Sequence, residues 1–100
     1  MKHVILDYEQ LAKRKQAHLY LAQMLEFPDY YGKNLDALYD CLTELGECTI
    51  VLKGQPAPDR TDDYGVKVLN VLKEATLANP ALHLEIQETE VNILKGENHE

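Results

Sequence analysis

The chain has no tryptophan, one phenylalanine and only two cysteines. It also lacks any apolar run near the roughly 18 residues that a membrane-spanning helix requires. The start, Met1-Lys2-His3-Val4-Ile5-Leu6-Asp7, meets a carboxylate after three apolar residues, whereas the apolar core of a secretory leader holds roughly 7–15. We therefore expect a cytoplasmic protein with no membrane association. Cys41 and Cys48 are too far apart for a Cys-x-x-Cys redox motif, and no histidine lies near either in sequence, which argues against a structural zinc site. Reduced, partly buried thiols are the expectation. His3, His18, His83 and His99 show no ligand spacing; His18 is expected to pack along its helix. There is no glycine-rich phosphate loop, no HExxH and no nucleophile elbow, and 100 residues leave little room for an enzyme-sized pocket. No metal, no cofactor and no catalytic activity are expected.

Cations are the scarcer charge. Ten Lys and Arg face 17 Asp and Glu, a formal net charge of -7 at pH 7. Such a surface repels nucleic acid and attracts basic proteins, although acidity can also serve solubility alone. The hydrophobic fraction of 45% suits one globular core, and the length suits one domain. We expect that domain over residues 1–90 and an acidic C-terminal tail over 91–100. Within residues 87–100, Val91, Ile93 and Leu94 could instead extend the sheet or dock on it.

Hydrophobic spacing gives the elements. His3–Asp7 reads as a strand whose run Val4-Ile5-Leu6 suits burial on both faces. Glu9 to Glu26 reads as one helix, stopped by Phe27-Pro28-Asp29. Tyr30 to Asn34 is a turn, and Asn34 can cap a second helix from Leu35 to about Leu45, closed by Gly46. Thr49–Leu52 is a second strand and Gly54–Pro58 a loop. Thr61 or Asp62 could cap a third helix, with core stripe Val68, Leu69, Leu72 and Ala75, ended by Asn79-Pro80. Leu82–Ile86 alternates as a third strand. This order predicts an α/β fold of two layers, a three-stranded parallel sheet in order 1-2-3 packed against helices, with right-handed crossovers.

The second helix carries the chemistry. Leu35, Leu38, Leu42 and Leu45 form a core-facing stripe. Asp36 and Asp40, four apart, lie one above the other on another face, with Thr43 and Glu44 beside them. Like charges at this spacing oppose a helix by roughly 0.2–0.5 kcal/mol, which Asp36 offsets partly by sitting near the positive helix end. Asp36 could be a helix-start acid and Asp40 an ordinary solvated residue. The alternative is a pair of anions spaced to meet a cluster of Arg, Lys or His on a partner. Tyr30, Tyr31 and Tyr39 flank the pair, and tyrosine is enriched at binding hot spots; one of the three is expected in the core. Residues 26–47 hold Glu26, Asp29, Asp36, Asp40, Glu44 and Glu47 against Lys33 alone.

The stretch Pro28-Asp29-Tyr30-Tyr31-Gly32-Lys33-Asn34-Leu35-Asp36-Ala37-Leu38-Tyr39-Asp40-Cys41-Leu42-Thr43 closely resembles the barstar family, intracellular inhibitors of an extracellular ribonuclease of the barnase type. The likeness is dense here, continues more weakly through the first strand and through Val68–Ala75, and covers most of residues 3–86. It implies a two-layer α/β fold with a parallel sheet in order 1-2-3, and one-to-one binding of a basic secreted ribonuclease. Asp40 would enter the anion pocket where an RNA phosphate sits, Asp36 would pair with an arginine, Tyr30 would pack on the catalytic histidine, and Glu74 would lie at the periphery. The partner-binding set is then Tyr30, Tyr31, Asn34, Asp36, Tyr39, Asp40, Thr43, Glu44 and Glu74.

Three departures bear on the partner. The family's best-known member has Trp where Tyr39 stands, Gly-Trp where Glu44-Leu45 stand, and a cysteine near Asn79-Pro80-Ala81. The second reading is an acidic immunity or interaction protein for a basic partner that is not a ribonuclease.

Overall fold

The computed structural model describes residues 2–54 and 63–87. Strand β1 (Lys2–Asp7) leads through a 3-10 turn (Tyr8–Leu11) to helices α1 (Arg14–Leu25) and α2 (Leu35–Thr43), then β2 (Cys48–Lys53), α3 (Tyr64–Ala78) and β3 (Leu82–Gln87). The sheet is parallel with order β1-β2-β3. Thr61, Asp62, most of the proline-containing loop and the tail with Val91, Ile93 and Leu94 lie outside the described residues.

Register sorts the strand residues onto two faces, because paired residues of a parallel ladder point the same way and neighbours alternate. Val4, Ile50 and Leu84 share a row, as do Leu6, Leu52 and Ile86. These rows look toward the helices, and Val4, Leu6, Ile50 and Leu52 are buried. The opposite face carries His3, Thr49 and His83 in one row and Ile5, Val51 and Glu85 in the next. Ile5 is 52% exposed, so β1 is buried on one face and not on both. Helices cover one side of the sheet, and β1 lies at its edge; Val51, on the same outer face but in the central strand, is nearly closed off.

The expected helix from Glu9 to Glu26 is broken. The Asp7 carboxylate accepts from the Glu9 N–H at 3.0 Å and starts the 3-10 turn. Lys13 is then extended, and α1 begins only at Arg14. The break drives Tyr8 and Leu11 into the core and lays the Tyr8 ring on Gly65 at the start of α3. A Cβ at Gly65 would come within 2.6 Å of that ring, so the glycine is there for close approach. The first turn of α3 is capped by Asp63, whose carboxylate accepts from the Gly65 N–H.

Helix α2 also ends differently. It stops at Thr43, short of Leu45, and its last turn tightens through Glu44 N–H to Cys41 O and Leu45 N–H to Leu42 O. Gly46 does not take the left-handed conformation; among the described residues positive φ occurs at Glu26, Lys33 and Gly54. The orphaned carbonyls of a helix end need donors, and here Asn79 supplies them. Its buried amide donates to Leu42 O and Leu45 O, both at 3.0 Å, and its oxygen accepts from the Ala81 N–H. The residue expected only to stop α3 thus fastens the end of α2 to the turn before β3.

Candidate functional site

Helix α2 is held by its inner stripe. Leu38 and Leu42 have no exposed surface, while Leu35 and Leu45 are half-buried at the ends of the stripe. The helix packs chiefly against α3. Its start is fixed by Asn34, whose side-chain oxygen accepts from the Ala37 N–H at 2.7 Å. Gly32 lies just beneath, where a Cβ would meet Ala37 Cβ at 3.2 Å. With the inner stripe and the cap in place, Asp36 and Asp40 face solvent one turn apart.

Two open grooves meet at Asp40. One runs toward the end of α2, between Asp40, Glu44, Glu26 and Tyr30. The other runs toward α3, between Asp40, Asp36, Tyr39, Val71 and Glu74. Asp40 is therefore central to a carboxylate-lined surface that joins α2 to α3 and to the loop before α2. Glu74, remote in sequence, is brought to this surface by the packing of α3 on α2. The negative potential is felt by Cys41, whose thiol is pushed above its ordinary pKa by burial first and then by Glu44 and Asp40. Cys48 is raised by burial, and both thiols are free, as expected.

The three tyrosines divide. Tyr30 is 86% exposed, a large aromatic presented to solvent beside the acids. Tyr39 is half-buried along the groove and leans on the core. Tyr31 is the one that enters the core, at 6% exposure, so it supports the surface from behind instead of meeting a partner with its whole ring. Its ring tilts against Phe27 with centroids 4.8 Å apart, and its hydroxyl lies 2.7 Å from His18 Nδ1. The other His18 nitrogen lies 2.6 Å from the Tyr64 hydroxyl. His18 thus does more than pack along its helix: it ties α1, the loop before α2 and the start of α3 together. Burial, and then Arg14, lower its pKa.

Of the remaining expected residues, Thr43 donates its hydroxyl to Asp40 O at 2.9 Å, which uses that hydrogen inside the helix. Glu44 is exposed at the α2 C-cap, the end of the dipole that disfavours an anion. Asn34 serves the helix start through its oxygen while its Nδ2 donates weakly to Gly32 O. Sequence spacing did not point to Phe27, Val71 or Asn79 as neighbours of this surface. Each enters through contacts between elements, for which periodicity within one element carries no signal. Among the described residues no group of three or more His, Cys, Asp or Glu is placed to hold a metal ion, and no helix is long and apolar enough to cross a membrane.

Comparison with known proteins places this surface in context. A family model described as "Barstar (barnase inhibitor)" matches residues 1–90. The chain is 40% identical over 78 residues to a Bacillus subtilis (strain 168) protein named "Putative ribonuclease inhibitor YrdF". The matched stretch covers 75% of this chain and 86% of that protein.

Proposed function

Because the chain belongs to the barstar family, we propose that it inhibits a secreted, basic ribonuclease of the barnase type, one to one, by filling the active site with the carboxylates of α2. The observation that carries this reading is the position of Asp40: exposed, at the meeting point of two grooves, with Asp36 and Glu74 on one side and Glu44 and Tyr30 on the other. A ribonuclease active site must hold a polyanion and is lined by cations. A carboxylate entering it makes charge-assisted hydrogen bonds in place of a phosphate. The rest of the acidic surface then meets the cationic margin, and Tyr30 offers apolar area at little entropic cost. In this reading Tyr31, Asn34 and Thr43 shape the surface, and Tyr39 and Glu44 contact the partner at its edges. Binding takes place where the enzyme is made, before export, in the cytoplasm.

RNA cleavage by barnase, titrated with the chain and its variants, tests the reading. Asp40→Ala should weaken inhibition most, followed by Asp36→Ala and Tyr30→Ala, then Glu74→Ala. Removing one member of a closed, hydrogen-bonded charge pair generally costs about 2–5 kcal/mol or more, much of it from the cations left unpaired. Ribonuclease–inhibitor pairs of this family contributed to that range, so the order of the variants is the prediction and not the value. If Asp40→Ala stays folded and inhibits as well as the natural chain, the α2 carboxylates do not occupy the active site. Tight binding to basic proteins without nuclease activity, with no inhibition of RNA cleavage, would favour the second reading, an immunity or interaction protein for another basic partner.

A further inference from the structure

The acidic surface does not end at Asp36. Asp36 also lines a third groove, shared with Asn34, Arg14, Tyr64 and Lys67. Arg14 in turn borders a fourth, between Lys15, Leu19 and Lys33. Adjacent grooves share Asp40, Asp36 and Arg14 in turn, so the four lie in a row, a segmented trough across α2 and the start of α1. Its charge changes sign along its length, from Glu44, Asp40, Glu74 and Asp36 to Lys67, Arg14, Lys15 and Lys33. In a chain with ten Lys and Arg and a net charge of -7, four cations around one end of one trough is a concentration against the average.

These cations are held there at a cost. Helix α1 begins with Lys13, Arg14 and Lys15, has no acid in its first turn and no side-chain cap. That is the wrong sign for the positive end of a helix dipole. The other two helices begin with the side-chain caps Asn34 and Asp63. Lys33 has a φ of 58°, a left-handed conformation that a side chain other than glycine or asparagine adopts at a penalty. Nor are the cations used internally. The Lys2–Glu26 ion pair and the His83–Glu47 contact involve none of the four. Leu19, 48% exposed, adds apolar area among them.

We propose that this cationic end of the trough is a second contact zone, one that engages carboxylates bordering the active site of the ribonuclease. The inference rests on the inhibitor reading and deepens it. The partner it fits is a nuclease whose basic active site is flanked, on the side facing α1, by an acidic rim. A partner of one sign only would be repelled at one end of the trough. The two ends together fix the register of docking and reject basic proteins without the rim, which is specificity by repulsion as well as attraction. A free nucleic acid fits poorly, since the phosphates next to those held by Arg14 would face Asp36 and Asp40.

Charge reversal separates this proposal from simple attraction between an acidic inhibitor and a basic enzyme. The full chain carrying Lys15→Glu, Lys33→Glu or both is titrated into barnase by calorimetry, with inhibition of RNA cleavage followed in parallel. If the cationic end contributes nothing, added negative charge tightens binding to a cationic enzyme or leaves it unchanged. If it contacts a rim, binding weakens by about tenfold or more in the double variant. Reversal of the facing carboxylates on the enzyme then restores it. Lys33→Gly removes the charge while relieving the left-handed backbone, so it should raise the unfolding midpoint in urea and still weaken binding. Unchanged or tighter binding by folded charge-reversal variants overturns the proposal and leaves the inhibitor reading standing, provided Asp40→Ala still weakens inhibition. A natural chain that does not inhibit barnase overturns both for enzymes of this type. Retention of single-stranded RNA by the natural chain, lost in the double variant, would assign the zone to a polyanion and overturn it as a rim contact.

Discussion

Leu38 and Leu42 on one side of α2 have no contact with water, whereas Asp36 and Asp40, two positions before each, are exposed to it. The inner pair belongs to the core that joins α2 to α3 and the sheet. The outer pair makes no ion pair among the described residues, and the helix would be easier to form without their mutual repulsion. One nine-residue helix therefore separates two kinds of free energy: burial that fixes the fold, and charge held ready for a partner. The separation allows one side to be altered without the other, and the comparison can be broken or sharpened in stages.

The largest effect is expected from a matched pair of variants. Leu42→Ala should lower the free energy of unfolding by about 2–5 kcal/mol, as truncations in close-packed cores do, and should weaken inhibition only as far as the chain unfolds. Asp40→Ala should do the reverse, weakening inhibition while leaving stability unchanged or raised by roughly 0.2–0.5 kcal/mol. Urea melts and calorimetric titrations on the same two proteins check both halves. A large loss of stability in Asp40→Ala would erase the distinction between the two sides of the helix.

Asn79 tests whether the end of α2 is held as firmly as its middle. Asn79→Ala takes the side-chain donor from Leu45 O and leaves Leu42 O with only the bond from the Leu45 N–H. Unsatisfied buried polar groups of this kind cost about 1–3 kcal/mol, so the unfolding midpoint should fall accordingly. Hydrogen exchange should show faster opening of the last turn of α2 than of its first, where Asn34 remains.

His18 sharpens the comparison through pH. Its native pKa lies below the ordinary histidine value of 6.5, so the folded protein holds the imidazole neutral while the unfolded chain takes up a proton more readily. Stability is then fully present above about pH 6.5 and falls as pH drops from there toward the native pKa, at a limiting slope of about 1.4 kcal/mol per pH unit. The groups in play are Tyr31 and Tyr64, which hydrogen-bond the ring, and Arg14, which opposes its charge. Urea midpoints at pH 7.5 and 5.5 should differ more in the natural chain than in His18→Gln. Equal differences would exclude His18 as the titrating group.

The smallest expected effect on affinity, and the most diagnostic of long-range charge, is that of salt. Association with a basic ribonuclease should slow as ionic strength rises from low to physiological values, because exposed charges are screened over about 8–10 Å. Stopped-flow rates that stay level across this range would mean that the acids act only after contact.

Most of the architecture was legible in residue spacing. The three apolar runs became strands in the order expected. The leucine stripe of α2 and the stripe Val68, Leu69, Leu72 and Ala75 of α3 turned inward. Both depend on periodicity within one segment, which the chain carries wherever it folds. The same pattern misled at Leu11 and His18. They are spaced as on one helix but lie on two elements, because the chain is extended at Lys13 between the 3-10 turn and α1. Gly46 was read as a helix stop from its type alone, yet the carbonyls it should have satisfied are taken by Asn79.

The division is the same at the candidate site. The sequence by itself determined which carboxylates stand one turn apart on α2 and which leucines oppose them, because helix geometry converts spacing directly into sides. It also carried the density of Tyr30 to Thr43 that places the chain in its family. Only the tertiary structure decided that Tyr31 goes inward against His18 and Phe27 while Tyr30 stays out. It alone brought Glu74 beside Asp40, and set Arg14 and Lys67 next to Asp36. These neighbours are fixed by how elements pack across gaps of tens of residues, and no local period encodes a contact whose two halves lie on different elements.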